Sequence, residues 1–217
     1  MKIEIISVSA VSEGSEMLVT LQFSCDEGNK EKRKLLLFTN QYLELGLRKG
    51  MTLSEDDFDT IERYSKECIA IRKGSDLLSY SSSSRKRLVQ RLRSKGIDCE
   101  SAESAALHLK EIGVINEEVD VSRQVESCLR KLWGKKRIYQ ELWSKGYEKE
   151  HIENALKDIT KEQLIENCAL LLKKKHKTIP NDSAVRKKIA GSLSRYGYSF
   201  DEIRCAFEIV LNKEAEQ

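Results

Sequence analysis

The sequence predicts a mainly α-helical protein: three tandem three-helix repeats in an elongated array, behind a small N-terminal antiparallel β domain. Three observations carry this. A block of about 50 residues recurs three times in phase, as Arg87-LVQRLRSKGID, Arg137-IYQELWSKGYE and Lys188-IAGSLSRYGYS. Residues 1–38 instead alternate apolar and polar side chains. Pro180 is the only proline, so helix breakers are absent almost everywhere a helix is expected. A fixed period of this length marks a repeat architecture, in which each unit buries its apolar face against its neighbours.

The strands come first. Ile3, Ile5 and Val8 roughly alternate with polar residues, and Met17, Val19, Leu21 and Phe23 alternate cleanly with Leu18, Thr20, Gln22 and Ser24. Residues 32–38 make a third strand, with turns at Glu13-Gly14 and at 26–29. A short helix over 41–45 stops at Gly46, and Ser54 with Asp57 reads as a capping box that opens a long helix. The expected division is 1–54 for the β domain and 55–115, 116–160 and 161–217 for the repeats.

Each repeat reads as helix A, helix B ending in a glycine, and helix C. The A helices span roughly 58–80, 121–132 and 161–175; the B helices 85–95, 136–145 and 183–196; the C helices 101–112, 149–158 and 200–213. Aligned on Gly96, Gly146 and Gly197, the apolar residues Leu88, Ile138 and Ile189 share one position, and Leu92, Leu142 and Leu193 another. The two positions lie on one helix face, and the glycine is the left-handed stop. Ala105, Ala155 and Ala206 recur nine residues later and suit a close helix crossing.

Hydrophobic residues are 40% and charged residues 34% of the 217, which describes a charged, globular chain. No apolar run approaches the roughly 18 residues of a membrane span, and MKIEIISVSA reads as no signal peptide. The cysteines at 25, 68, 99, 128, 168 and 205 form no C-x-x-C, which fits reduced cytoplasmic thiols. Cys68, Cys128 and Cys168 recur in the A helices and read as small buried apolar residues. The phosphate-loop, dinucleotide and zinc-protease motifs are missing and the histidines are isolated, so no catalytic site, metal or cofactor is expected.

The net charge of +3 is uneven: residues 1–67 hold 9 Lys and Arg against 13 Asp and Glu, and the helical remainder is basic. A basic triplet recurs in phase at the start of each B helix: Arg85, Lys86 and Arg87; Lys135, Lys136 and Arg137; Arg186, Lys187 and Lys188. Cations are disfavoured by the dipole at a helix N-terminus, so three recurrences point to an anionic partner or to offsetting acidic neighbours. Lys173, Lys174 and Lys175 close the third A helix, where the dipole alone accounts for them. Arg130 and Lys131 flank Trp133 and could form a basic groove, although Trp133 and Trp143 read first as packing residues.

The thrice-repeated helix B pattern behind a small β domain resembles the RecX family of regulatory proteins. Ser84, Leu88, Leu92, Lys95 and Gly96, preceded by Leu77 and Leu78, are similar to that family's first-repeat signature. Lys188 to Tyr198, followed by Asp201, Ile203 and Ala206, resemble its last. The chain differs from the family pattern at Ser81, at Arg87 and after Asn116-Glu117, where no aromatic follows at 119 or 120. The resemblance implies a monomeric, non-enzymatic modulator of the RecA recombinase in DNA repair, recombination and the SOS response. It would bind the RecA–single-stranded DNA filament and limit its extension, ATPase and strand exchange, with direct contact to single-stranded DNA an open point. Two alternatives stand beside it: a direct DNA-binding protein built on helix-turn-helix-like units, and a protein-interaction solenoid unrelated to DNA. Against the former, the C helices are acidic or neutral where a base-reading helix needs Arg, Asn or Gln.

Overall fold

The computed structural model describes residues 2–24, 30–176, 179 and 182–215; the expected turn at 26–29, Cys25, Lys177 and Pro180 lie outside them. Two compact units divide the chain. One comprises Met1–Ser81 and Leu88–Ile115, the other Ser82–Arg87 and Asn116–Gln217.

The first unit opens with a four-stranded antiparallel sheet. Strands β1 (Lys2–Val11), β2 (Glu16–Ser24), β3 (Lys30–Phe38) and β4 (Thr52–Leu53) lie in the order β3-β2-β1-β4. The two-residue β4, paired with Ile3 and Glu4, is invisible as a pattern because two residues cannot alternate. The alternation read in the sequence sends Ile3, Ile5, Val19, Leu21, Phe23, Leu35 and Leu37 to one buried face, where Leu47, Leu53 and Ile61 join them. A shift in register between Ile5 and Ser7 bends β1, and the alternation weakens beyond it.

Helix α1 (Thr39–Glu44) stops before Gly46 in the left-handed region, φ +58°. Helix α2 (Glu55–Tyr80) begins with the expected capping box: Ser54 Oγ accepts from the Asp57 amide at 3.1 Å, and the Asp57 carboxylate accepts from the Ser54 amide at 3.1 Å. This helix is tied to the sheet by Ser65 Oγ, which accepts from the Leu36 amide at 3.0 Å. Its far end packs with α3 (Arg85–Ser94) and α4 (Cys99–Glu111) around Ala70, Leu88, Leu92, Ala102, Ala105 and Leu109.

The second unit contains α5 (Glu117–Arg130), α6 (Lys135–Ser144), α7 (Lys149–Lys157), α8 (Lys161–Lys175), α9 (Ser183–Arg195) and α10 (Phe200–Ala215). They share one core that includes Val121, Ile138, Leu142, Ile152, Leu172, Leu193 and Val210. The helices follow the predicted three-helix repeat; α2 and α5 start three to four residues earlier than their apolar patterns, at capped acidic first turns. At every B-helix stop the residue after the glycine reaches back to the phased leucine. Ile97, Tyr147 and Tyr198 amides bond to the Leu92, Leu142 and Leu193 carbonyls at 3.2, 3.3 and 3.4 Å, a Schellman closure around glycines with φ of +82°, +82° and +96°. The three leucines are 0%, 0% and 1% exposed.

Candidate anion-binding surface

Charge divides with the two units. The second carries 23 Lys and Arg against 17 Asp and Glu, a net of +6; the first carries 15 against 18, a net of −3. All three basic triplets belong to the second unit.

The first triplet is built into a turn. Ser84 Oγ accepts from the Arg87 amide at 3.2 Å and so caps α3, while its hydroxyl donates to the Lys145 carbonyl at 2.7 Å. The Arg85 amide donates to Glu117 Oε1 at 2.8 Å, and Glu117 is buried. A carboxylate at a helix N-terminus meets unpaired amides and the positive end of the dipole. This is the offsetting acid that the sequence left as an alternative. Beside it Asp120, also buried, accepts from the Tyr147 hydroxyl at 2.6 Å. Burial, then the hydrogen bond to Asp120, pushes the Tyr147 phenol well above its usual range. Lys86 and Arg87 remain exposed.

The second triplet has a different setting. Gly134 precedes α6, and its amide donates to the Tyr196 carbonyl at 2.8 Å; the Lys136 amide donates to the Gly197 carbonyl at 3.2 Å. Backbone against backbone at this point brings the head of α6 beside Tyr196, the residue before the third stop glycine. The Arg137 guanidinium lies 4.1 Å from the Trp133 ring centroid and 4.9 Å from that of Tyr196. Lys131 Nζ lies 5.3 Å from the Trp133 centroid, and Lys175 Nζ 4.0 Å from the Tyr196 centroid. All are within range for cation–π attraction. Arg137, Trp133 and Tyr196 are half-buried, and Lys131 and Lys175 exposed. The Lys175 ammonium, by hydrogen bond and charge, lowers the Tyr196 phenol pKa, with smaller help from Arg137 and Lys174. Among the described residues no carboxylate pairs with Lys131, Arg137 or Lys175.

The structure therefore gathers Lys131, Arg137 and Lys175 from the predicted set onto two rings. The third triplet is not gathered with them: Arg186 is half-buried and Lys187 and Lys188 exposed on α9, whose first turn is capped by Asp182. Arg130, Lys173 and Lys174 are exposed near helix ends. The sequence reading missed Tyr196, although a signal existed. The residue before the stop glycine is Lys95 and Lys145 in the first two repeats, and an aromatic in the third breaks that pattern. Trp143, read as packing, is 57% exposed and stacks on Tyr139 with ring centroids 6.3 Å apart. The recurring cysteines are buried, and burial pushes the Cys68 and Cys168 thiols up to about 12, so they fill space as neutral thiols.

Comparison with known proteins bears on the whole chain. The RecX third three-helix domain matches residues 161–207, a span that holds Lys175 and Tyr196. The regulatory protein RecX of Clostridioides difficile (strain 630) is 27% identical over 188 residues, covering 84% of this chain and 87% of the relative. That of Caldanaerobacter subterraneus is 27% identical over 169 residues, covering 77% and 84%. The chain is therefore similar to RecX regulatory proteins over most of its length and most of theirs. Among solved structures, a crystal structure of regulatory protein RecX superposes with TM-score 0.75 at 20% identity, over 95% of this chain and 99% of that one. RecX from Lactobacillus salivarius gives TM-score 0.59 at 23% identity, over 66% of this chain and 95% of that one. Both likenesses show the fold, and the first, over 95% of this chain, takes in the β sheet. No helix among the described residues is long and apolar enough to cross a membrane.

Proposed function

We propose that this chain is a non-enzymatic, cytoplasmic regulator of the RecX family that binds the RecA–single-stranded DNA filament and restrains its extension, ATP hydrolysis and strand exchange. The row of Lys131, Arg137 and Lys175 on Trp133 and Tyr196, with no carboxylate paired to it among the described residues, is the observation that supports the reading most. A filament is polyanionic, and a surface lined by one sign of charge raises the local concentration of a partner of the opposite sign. Lys86, Arg87, Lys136, Lys187 and Lys188, all exposed, extend the same sign of charge over the second unit. Contacts at several repeats act together, so total affinity exceeds that of any one.

The test is suppression of RecA's DNA-dependent ATPase by charge-reversed variants. Lys131→Glu with Lys175→Glu is expected to lose most suppression while melting like the parent chain. Reversal of Arg186, Lys187 and Lys188 is expected to weaken it less, since that triplet is not gathered with the others. Full suppression by every variant would remove the basic surface from the mechanism.

A further inference from the structure

Lys131, Arg137 and Lys175 form a row on two rings, with Lys131 and Arg137 at Trp133 and Arg137 and Lys175 at Tyr196. Their charge is uncompensated among the described residues. Ring faces hold Arg137 in place, and its side chain donates no hydrogen bond within the described protein. Its planar fork is thus oriented before any ligand arrives, and that fork matches the paired oxygens of a phosphate. Each ring is already shared by two cations, which leaves little open face for a nucleobase. The usual base-stacking platform of single-strand binders is therefore absent from this row, and the electrostatic half of such a site remains.

We infer that this row is a receptor for the phosphodiester backbone of a single nucleic-acid strand, gripped through its phosphates with the bases unread. The inference rests on the filament reading above and names the filament component this face meets. A protein carboxylate is the rival ligand. It presents one anion, whereas a strand presents a phosphate at every nucleotide and can occupy successive cations of the row. The net +6 of the second unit adds a field that draws in a polyanion.

The experiment uses the full chain carrying Trp143→Phe, which makes Trp133 the sole tryptophan and a reporter inside the row. A labelled oligothymidylate of about 20 nucleotides is titrated without RecA, beside an abasic strand of equal length and an oligoglutamate of equal charge. The oligothymidylate should bind saturably and change Trp133 emission, and the abasic strand should bind within about threefold of it. The oligoglutamate should compete at least about tenfold less well. Arg137→Gln and Lys175→Gln should each weaken binding about fivefold or more. Each should also lower the slope of log affinity against log salt by about 0.7, the loss of one phosphate contact to a single strand. Lys175 is exposed, so its variant tests the row even if Arg137→Gln fails to fold. Unchanged affinity and slope in Lys175→Gln would overturn the inference, as would a tenfold weaker abasic strand. Equal competition by oligoglutamate would reassign the row to an acidic protein segment. The RecA ATPase assay separates the two readings. Suppression without strand binding sinks this inference alone, and strand binding without suppression sinks the filament reading alone.

Discussion

At Gly146 the head of α3 is held by side chains, whereas at Gly197 the head of α6 is held by backbone. The two turns share one sequence phase, one left-handed glycine and one following tyrosine. At the first, Ser84 and Glu117 bridge the chains, and the side chains of Ser84 and Lys86 are the nearest neighbours of a methyl placed on Gly146, at 3.1 and 3.4 Å. At the second, Gly134 and Gly197 lie against each other, and a methyl on either would run into the other's backbone. The electrostatics differ in parallel. Two buried acids, Glu117 and Asp120, accompany the first junction; among the described residues none accompanies the second. A repeat can thus keep its docking geometry while one copy sets buried acids beside the backbone of its basic triplet and the next sets aromatic rings beside the Arg137 side chain.

The largest expected effects set these junctions against each other directly. Gly197→Ala combines a left-handed residue, about 1–2 kcal/mol, with overpacking against backbone, about 1–3 kcal/mol. A loss of roughly 3 kcal/mol is expected in urea unfolding followed by tryptophan fluorescence. Gly146→Ala should lose roughly 1–2 kcal/mol, because serine and lysine side chains can give way. Gly96→Ala, where nothing lies within 4 Å of the added methyl, should lose only the conformational cost of about 1 kcal/mol. Equal losses at 146 and 197 would erase the distinction between side-chain and backbone docking.

The tyrosines sharpen the electrostatic half at a smaller scale. Tyr147→Phe strips the donor from a buried Asp120 oxygen and should cost about 1–3 kcal/mol. Tyr198→Phe removes a donor from the neutral Leu132 carbonyl, bonded at 3.0 Å, and should cost about 0.5–1.5 kcal/mol. Reversal of that order in denaturant melts would mean Asp120 has another donor in solution.

Much of this was legible before any coordinates. Periodicity dictates which residues of a helix share a face, so Leu92, Leu142 and Leu193 could be placed from spacing, as could the stop glycines that only a left-handed residue satisfies. Alternation did the same for Val19, Leu21 and Phe23. What stayed hidden depends on which turn meets which helix head. Nothing along the chain says that Glu117 reaches the Arg85 amide, 32 residues away, or that Tyr196 comes to lie beside Arg137. The triplets looked equivalent for the same reason. Their spacing is equal, and only the neighbours brought by folding give one an acidic setting and another an aromatic one.

The smallest effect is one of pH, and it falls on the open row. The Tyr196 phenol is lowered chiefly by its hydrogen bond to Lys175, while burial raises Tyr147 and Tyr198 above their usual value near 10. The signs oppose. A phenol lowered on folding stabilises the fold fully above about pH 10, and that contribution is lost as pH falls through its folded value. Phenols raised on folding contribute fully below about pH 10, and lose that contribution as pH rises through their folded values. In an alkaline titration followed by tyrosinate absorbance, the earliest step should vanish in Tyr196→Phe, and Tyr147 and Tyr198 should ionise only as the protein unfolds. Ligand binding adds a second readout. A Tyr196 phenolate would partly neutralise Lys175 and repel a phosphate, so oligothymidylate affinity should fall as pH climbs from 8 toward 10, with the protein still folded. In Tyr196→Phe that fall should be shallower, because no phenolate forms beside the row. Identical pH profiles in parent and variant would show that no anion sits on Tyr196, and the two junctions would then differ in packing alone.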